Sequence, residues 1–382
     1  MTLAFRATLN LMAWLIIEDM DRLSRLKAAM RSRNLDGLLV TQPDNRRYLS
    51  GFKAGDMNIG ESSGALLISR RGKPVLMTDS RYKLEAEAEA PGFDIMVYKG
   101  GMLELLKNLL ADRTLRRFGF ESHYFLHQAS EKLKKISAEV GMEPVATTGL
   151  VERLRLCKGQ AEIDKIRAAV LLNEEVFKEV YRGFKPGMTE RQVAIRIETL
   201  MREKGADGPS FETIVAGGSN GAKPHAVPAD RPIREGEPVV IDMGLVLDGY
   251  CSDMTRTVVL GEVDKKTKKI FRLVRKAQKQ AIKTIRAGVT GREVDIVARE
   301  IIAKAGYGDF FGHGLGHGVG LAVHEGPSLS ISYKRKLKAG MVVTVEPGVY
   351  LPDWGGVRLE NMVVVTDKGC EVLNTDTTFL DL

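Results

Sequence analysis

The sequence predicts two domains: a smaller α/β domain over residues 1–150, then an α+β domain with a mostly antiparallel sheet over residues 151–382. The length of 382 residues suits two domains. In the first part, short strand-like runs alternate with helical segments, which is the pattern of an α/β domain. In the second part, two long helices are followed by strand-like runs and glycine turns, which two further helices interrupt.

The first part opens with a helical pattern over residues 21–34, in which Leu23, Leu26, Met30 and Leu35 recur at helical spacing. Turn residues then separate the predicted strands 37–41, 64–69, 74–78, 93–98 and 117–120, and helices are predicted at 82–90, 101–112 and 128–139. The second part has predicted helices at 160–183, 188–204, 264–286 and 290–305. Thr189 is expected to cap the second of these helices, without a complete capping box.

Composition excludes several classes of protein. Hydrophobic residues make up 44% of the chain and charged residues 28%, which is typical of a globular protein and excludes long disorder. The net charge is +8, but the basic residues of 264–286 alternate with apolar residues at helical spacing, which indicates a solvated helix face and not a nucleic-acid site. Three dispersed cysteines without a C-x-x-C pair favour a reducing, cytoplasmic compartment.

The first twenty residues contain a short apolar run from Leu9 to Ile17. It is too short to span a membrane and has no cleavage site of the signal-peptide type. We therefore expect no membrane segment here, and we interpret these residues as an over-long start or a small extra element.

Two aspartates are placed together by a predicted hairpin. Residues 237–261 form two strand-like runs around Asp248-Gly249, a typical two-residue hairpin turn. In that register Asp242 faces Thr255, so Asp253 lies diagonally across from Asp242 on the same face, at a backbone distance of about 7–8 Å. Two carboxylates so placed can hold two cations about 3.5–4 Å apart. The alternative is a pair of strand-end aspartates in turns, and the hairpin alone does not decide between the two.

Three of the six histidines lie within twelve residues, at His313, His317 and His324. The glycines around the first two allow close approach of the backbone to a ligand. This combination favours a functional site over structural histidines. The segment contains neither G-x-G-x-x-G nor H-E-x-x-H.

Two glutamates lie on a second predicted hairpin, within residues 340–366. A turn centred on Asp353 places Glu346 opposite Glu360, and each glutamate interrupts an apolar run. Four carboxylates and one imidazole form an oxygen-rich site suited to a pair of Mn²⁺, Co²⁺ or Zn²⁺ ions. Without metal, such a cluster of carboxylates would be strongly repulsive.

With these segments in order, the chain resembles the Xaa-Pro aminopeptidase and prolidase family of pita-bread metallopeptidases. The resemblance covers nearly the whole length and depends on I-D-M-G, S-D-M-T-R-T, H-G-L-G-H-G-V-G, V-E-P-G and V-R-L-E-N in combination. It implies a creatinase-like N-terminal domain and a pita-bread catalytic domain with a curved sheet. It also implies two divalent ions, most often Mn²⁺, a peptide substrate and a homodimer. All five metal positions of the family carry the expected residue types: Asp242, Asp253, His317, Glu346 and Glu360.

The resemblance also implies roles for individual residues. Glu346 would be the general base and then acid that acts on the water shared by the metals. His324 would bind the scissile carbonyl oxygen, and His225 would contact the substrate from the opposite rim. His313 and Arg358 would support the site and the substrate. Arg358 could instead be only a salt-bridge partner of the carboxylates.

One departure from the family bears on the substrate. Dipeptidases of this family hold the substrate's free carboxylate with an arginine soon after V-H-E, whereas here Glu325 is followed by Gly-Pro-Ser-Leu-Ser-Ile-Ser and the first cations are Lys334 and Arg335. This favours an aminopeptidase that accepts longer peptides, with an Xaa-Pro dipeptidase as the alternative. A relative acting on a small non-peptide substrate and a non-catalytic peptide-binding module remain open as further alternatives.

Overall fold

The computed structural model describes residues 21–111, 113 and 115–375. The chain divides into two compact units between Arg155 and Leu156, a few residues after the predicted boundary at 150/151. The first twenty residues, interpreted above as an over-long start or an extra element, lie outside the described residues. In the described part of the chain, no helix combines the length and the apolar character needed to cross a bilayer.

The N-terminal unit is an α/β domain around one six-stranded sheet. Its elements are α1 (21–32), β1 (Gly37–Val40), α2 (Pro43–Ser50), β2 (Gly64–Ser69), β3 (Val75–Thr78), α3 (Lys83–Glu89), β4 (Asp94–Val97), α4 (Met102–Ala111), β5 (Arg117–Glu121), α5 (His127–Glu139), β6 (Glu143–Thr147) and α6 (Glu152–Arg155). The strand order is β4-β3-β2-β1-β5-β6, with parallel pairing at β3–β4, β1–β5 and β5–β6. The predicted α/β class is confirmed.

Besides the short helix α6, two elements of this unit were not predicted from the sequence, α2 and β6. Helix α2 begins at Pro43, where proline is tolerated, and the Gln42 side chain caps it by accepting from the Asn45 backbone N–H at 2.6 Å. Strand β6 contains Pro144, which is compatible with a strand only because β6 lies at the edge of the sheet. Both segments resemble turns in composition, and only their tertiary setting makes them regular.

The C-terminal unit combines four long helices with antiparallel sheets. The helices are α7 (Gln160–Gly183), α8 (Glu190–Glu203), α9 (Lys265–Thr284) and α10 (Gly291–Lys304). The strands are β7 (Gly208–Pro209), β8 (Ile214–Gly217), β9 (Pro238–Met243), β10 (Leu245–Leu247), β11 (Tyr250–Cys251), β12 (Met254–Val259), β13 (Gly316–Gly318), β14 (Glu325–Leu329), β15 (Val342–Val345), β16 (Gly348–Leu351), β17 (Gly355–Arg358), β18 (Asn361–Val365) and β19 (Cys370–Val372). Every strand pair described in this unit is antiparallel, as predicted.

The two largest hydrophobic clusters of this unit lie between its helices and these sheets. Helices α7 and α8 pack on the sheet β12-β9-β8 through buried residues such as Phe177, Ile197 and Ile241. Helices α9 and α10 pack on β15 to β18 through a second cluster that includes Phe271, Val294 and Val363. All four helices lie where the sequence predicts them. The N-terminus of α8 differs in one detail: its capping box is complete, because Thr189 and Gln192 bond each other's backbone N–H.

Both predicted hairpin registers are confirmed. Asp242 pairs with Thr255 and Leu247 with Tyr250, and Asp248 and Gly249 both have positive φ in the turn. Around Asp353, Gly348 pairs with Arg358 and Val345 with Asn361, so Glu346 and Glu360 lie opposite each other where the strands break. The strands are shorter than expected, because each hairpin is divided between two sheets at the positions of its carboxylates.

Candidate active site

The first two acidic residues lie at the ends of buried strands. Asp242 belongs to β9, and Asp253 directly precedes β12. The Asp253 side chain is 6% exposed, and its backbone N–H approaches the Met362 sulfur at 3.2 Å. Because carboxylates are costly to bury without a partner, this position calls for a compensating charge.

His317 is held on β13 by a close approach of two backbones. A Cβ atom at Gly316 would lie 2.1 Å from the Thr344 carbonyl oxygen, so only glycine fits beside β15. The His317 backbone N–H donates to the Thr344 hydroxyl at 3.1 Å. The His317 Nδ1 lies 3.1 Å from the Gly318 carbonyl, which favours a proton on Nδ1 and leaves Nε2 as the ligand atom.

The two glutamates are each oriented by a threonine hydroxyl. Thr344 donates to Glu346 Oε1 at 3.1 Å, and Thr255 donates to Glu360 Oε2 at 2.7 Å. The backbone N–H of Glu346 donates to the Leu315 carbonyl at 2.8 Å, and that of Glu360 to the Thr255 carbonyl at 3.1 Å. These bonds tie the second hairpin to the histidine segment on one side and to β12 on the other.

All five residues predicted as metal ligands meet in one place. His317 Nε2 lies 3.5 Å from Asp253 Oδ2 and 3.3 Å from Glu346 Oε1. Ligand atoms of Asp253, His317 and Glu360 lie within 4.8 Å of one another. Asp242 joins the group through its charge, which acts on both Asp253 and Glu360.

The carboxylates of this cluster are buried and repel one another. Burial raises the pKa of Asp253 well above its usual range, and the charges of Glu360, Asp242 and Glu346 raise it further. Burial and the charges of Glu346 and Asp242 do the same to the pKa of Glu360. Burial is the largest influence on Glu346 and opposes its ionisation, but the hydrogen bond to His317 and the charges of His317, His313 and Arg358 together lower the pKa of Glu346.

Two buried carboxylate oxygen atoms indicate whether a metal ion fits among these residues. Asp242 Oδ1 and Glu360 Oε1 have no hydrogen-bond partner within the described chain, although the other oxygen of each carboxylate is bonded to Arg358 or Thr255. An unpaired buried carboxylate oxygen is costly. Carboxylate oxygens with one imidazole nitrogen are a suitable donor set for divalent transition metals. The residues present therefore fit a divalent metal site.

A cavity of about 510 Å³ opens above this cluster. It is lined by all five acidic and histidine residues and by segments from three loops: Phe211–Ile214, Pro224–Pro228, and the serines Ser328 and Ser330. The other four predicted site residues, His225, His313, His324 and Arg358, line the same cavity. The structure therefore brings together every site residue that the sequence predicts.

The other three histidines that line the cavity differ in their surroundings. His313 Nε2 lies 2.9 Å from the Tyr350 hydroxyl, and burial lowers the pKa of His313. The ring of His324 packs edge-on against His317 with centroids 4.3 Å apart, and partial burial together with the charge of His317 lowers its pKa. His225 is exposed in a turn at the cavity. The lowered pKa values of His313 and His324 favour neutral imidazoles, which can donate or accept a hydrogen bond at the substrate.

Arg358 forms a salt bridge with Asp242, as predicted by the alternative in which it only pairs with the carboxylates. Its Nη2 donates to Asp242 Oδ2 at 2.7 Å, its Nη1 to the Tyr350 hydroxyl at 2.8 Å and the Pro224 carbonyl at 3.2 Å, and its Nε to Thr255 at 3.0 Å. With four bonds to the protein, the guanidinium orients Asp242 and also borders the cavity.

Sequence reasoning missed several residues that build this site. Tyr350 bonds both His313 and Arg358 and is fully buried, and burial raises its pKa to about 12. Asp295 and Arg299 on α10 hold the backbone of the histidine segment. The spacing of Asp295 and Arg299 by four residues on a predicted helix was the one signal that could have indicated the pair.

Comparisons with known proteins agree with this geometry. Residues 164–367 match the family model for metallopeptidase family M24, and residues 22–157 match the creatinase/prolidase N-terminal domain. An uncharacterised peptidase of Bacillus subtilis, YqhT, is 37% identical over 91% of this chain and 96% of its own. The solved Xaa-Pro dipeptidase from Bacillus anthracis is 36% identical, covers 94% of this chain and 98% of its own, and superposes with a TM-score of 0.87. The X-Pro aminopeptidase from Thermotoga maritima is also 36% identical, covers 91% and 98%, and has a TM-score of 0.82.

The family match covers more than half of the chain, and each relative is covered almost completely. The matched segment contains all five residues of the acidic and histidine cluster. This chain therefore belongs to metallopeptidase family M24 and is a metal-dependent peptidase with a creatinase/prolidase-type N-terminal domain.

Proposed function

We propose that this enzyme is an Xaa-Pro aminopeptidase, which removes the N-terminal residue from peptides that carry proline at the second position. Two kinds of support lead to this substrate. Xaa-Pro peptidases occur among the solved relatives, as a dipeptidase in Bacillus anthracis and an aminopeptidase in Thermotoga maritima. The cavity is large enough for a short peptide, and the charges of its lining support one of the two activities over the other.

Five residues would hold two divalent ions, most often Mn²⁺, with Co²⁺ or Zn²⁺ as substitutes. These are Asp242, Asp253, His317, Glu346 and Glu360. Bound there, the ions would supply an acidified water and polarise the substrate carbonyl. The unbonded oxygens of Asp242 and Glu360 and the raised pKa values of Asp253 and Glu360 support this assignment.

The chain's own residues would handle the proton and the substrate. Glu346 is the proposed general base, because its carboxylate lies within the ligand cluster, 3.3 Å from His317 Nε2, and it then donates the proton to the leaving proline nitrogen. His324 is the proposed donor to the scissile carbonyl, and His225 a substrate contact from its exposed turn. Tyr350 keeps His313 in place at the cavity wall.

The observation that favours an aminopeptidase is the absence of a spare cation at the cavity. Among the described lining residues, Arg358 is the one lysine or arginine, and its guanidinium already makes four bonds to protein atoms. The carboxylate of an Xaa-Pro dipeptide would need a charge-assisted partner when it is enclosed. Longer peptides place a neutral amide there instead.

The alternative, an Xaa-Pro dipeptidase, is supported by relatives of that name, such as the one from Pyrococcus furiosus, which is 34% identical over 92% of this chain. The two activities are separated by one assay. The Mn²⁺-loaded enzyme is given Xaa-Pro, Xaa-Pro-Gly and Xaa-Pro-Gly-Gly at equal concentration, and release of the first residue is quantified. We expect the tripeptide and tetrapeptide to be cleaved with higher kcat/KM, and a preference for Xaa-Pro would establish the dipeptidase instead.

Two properties of the protein in solution belong to the same proposal. We propose a homodimer, which the resemblance to the family implies, and a cytoplasmic location, which the sparse and dispersed cysteines support. Light scattering after size-exclusion chromatography tests the first. Fractionation of the source cells tests the second.

A further inference from the structure

We infer that three serines, Ser328, Ser330 and Ser332, form the subsite that binds the peptide main chain beyond proline. We name them the serine ladder. The inference rests on the proposed function and deepens it, because it assigns residues to the part of the cavity that accepts longer substrates. It is carried by the bonds between the three hydroxyls and by their position at the cavity.

The hydroxyls of the ladder form a continuous chain. Ser328 Oγ donates to Ser330 Oγ at 3.0 Å, and Ser330 Oγ lies 3.0 Å from Ser332 Oγ. The first two serines line the cavity and are half-buried, and the third is exposed. The ladder therefore leads from the cavity wall to solvent.

The inner end of the ladder lies beside the metal-binding cluster. Ser328 on β14 pairs with His317 on β13, so the two residues are neighbours across strands. A Cβ atom at Gly314 would lie 3.3 Å from the Ser330 Cβ, which places the backbone next to His313 directly against the ladder. A substrate bound at the cluster would therefore have the ladder within reach of its next residues.

The chemistry of the ladder suits peptide amides and not a carboxylate. Each hydroxyl has one donor and two acceptor positions, so a chain of three can bond both the N–H and the C=O groups of a peptide. It carries no charge that would hold a free carboxylate. The exposed carboxyl group of Glu212, which also lines the cavity, suits the positively charged N-terminus of the substrate. The cavity lining thus offers an acidic group for the amino terminus and neutral hydroxyls for the peptide main chain.

The test measures binding of product peptides, so that it does not depend on turnover. The affinities of Pro-Gly-Gly and of proline for the Mn²⁺-loaded protein are measured by calorimetry in the parent and in Ser330→Ala, which breaks both hydroxyl contacts. Loss of one or two neutral hydrogen bonds weakens binding roughly 2- to 10-fold each. We expect this loss for Pro-Gly-Gly, no change for proline, and recovery in Ser330→Thr, which keeps a hydroxyl. Thr199→Ala on the exposed face of α8, where the hydroxyl bonds only the Ile195 carbonyl, is the matched control.

The same variants are assayed for KM and kcat on Xaa-Pro-Gly-Gly, where the expected change is in KM. Equal affinity of parent and Ser330→Ala for Pro-Gly-Gly, an equal loss for proline, or no binding of Pro-Gly-Gly at all would each overturn the ladder. If the parent cleaves no Xaa-Pro peptide but binds Pro-Gly-Gly through Ser330, the ladder stands and the proposed function falls.

Discussion

Replacing Arg299 by methionine should damage both stability and turnover, because Arg299 holds the backbone that carries the active-site histidines. On α10, Arg299 forms a two-bond ion pair with Asp295 at 2.9 and 3.0 Å. Its guanidinium also donates to the carbonyls of Phe311 and His313 at 2.8 and 2.7 Å, and Asp295 accepts from the backbone N–H of Leu315 at 3.0 Å. Phe311, His313 and Leu315, which are every second residue of the histidine segment, are thus bonded to α10.

The magnitude follows from the burial of the pair. The Asp295 side chain is fully buried and that of Arg299 is 24% exposed. Removing one partner of a buried pair costs about 3–5 kcal/mol, and the partial exposure of Arg299 reduces this toward about 3 kcal/mol. Turnover should fall as well, because Leu315 accepts the backbone N–H of Glu346, so a shift of this segment moves the proposed base.

The assay combines urea unfolding with kcat and KM on Xaa-Pro-Gly. The control is Lys304→Met on the same helix, which breaks the exposed pair with Glu300 and should change stability by less than about 0.5 kcal/mol. A double variant, Asp295→Leu with Arg299→Met, removes the buried charge along with its partner. We expect it to recover stability but not kcat, because the two carbonyls still lack their donors.

Two results would refute this reasoning. If Arg299→Met is as stable and as active as Lys304→Met, the pair does not hold the segment. If the double variant recovers kcat together with stability, the pair contributes only to folding and does not position the histidines or Glu346.

Three further predictions concern other charged groups. Lys158→Met should destabilise the protein by about 3–5 kcal/mol, because Lys158 and Glu325 form an ion pair at 2.7 Å with side chains only 1% and 8% exposed; replacing both by apolar residues should restore stability in urea unfolding. Burial raises the pKa of Glu121 from 4.5 to about 7, so the folded state binds this proton more tightly than the unfolded chain. The contribution of this group to the free energy of unfolding is therefore fully present below about pH 4.5 and lost as the pH rises through about 7. The loss amounts to about 3 kcal/mol over this range, and it should be absent in Glu121→Gln. Adding Mn²⁺ at a hundred times its Kd should stabilise the protein by about 2.7 kcal/mol for each ion bound in thermal unfolding, and Glu360→Gln should weaken this response.

The two hairpins show how far local sequence signals reach. Asp248-Gly249 requires positive φ at both positions, and the structure has it, so the turn alone sets the register that brings Asp242 opposite Thr255. Turn chemistry and strand period act over a few residues, and both are visible in the sequence. The placement of each carboxylate relative to its own hairpin partner was therefore predictable.

The contacts that join the two hairpins and the histidine segment could not be predicted from local sequence signals. The bond between the Glu360 backbone N–H and the Thr255 carbonyl, and the contact of Gly316 with Thr344, link residues far apart in the chain. No local pattern specifies which strand edges meet, and the family resemblance supplied that information instead. Arg299 illustrates the same limit, because its helix was predicted correctly but its carbonyl partners depend on the path of a distant loop.

The groups that donate hydrogen bonds to the carboxylates of the cluster differ in charge, and this difference affects metal binding. Thr255 and Thr344 orient Glu360 and Glu346 with neutral hydroxyls, whereas Asp242 is held by a permanent cation, Arg358. A neutral donor orients a carboxylate without compensating its charge, so the full charge remains available to a metal ion. Cations at all four positions would make the cluster stable without metal and would remove the attraction that loads it. Orientation by hydroxyls thus orders the carboxylates without supplying a permanent counter-charge, at the expense of folded-state stability until a metal ion binds.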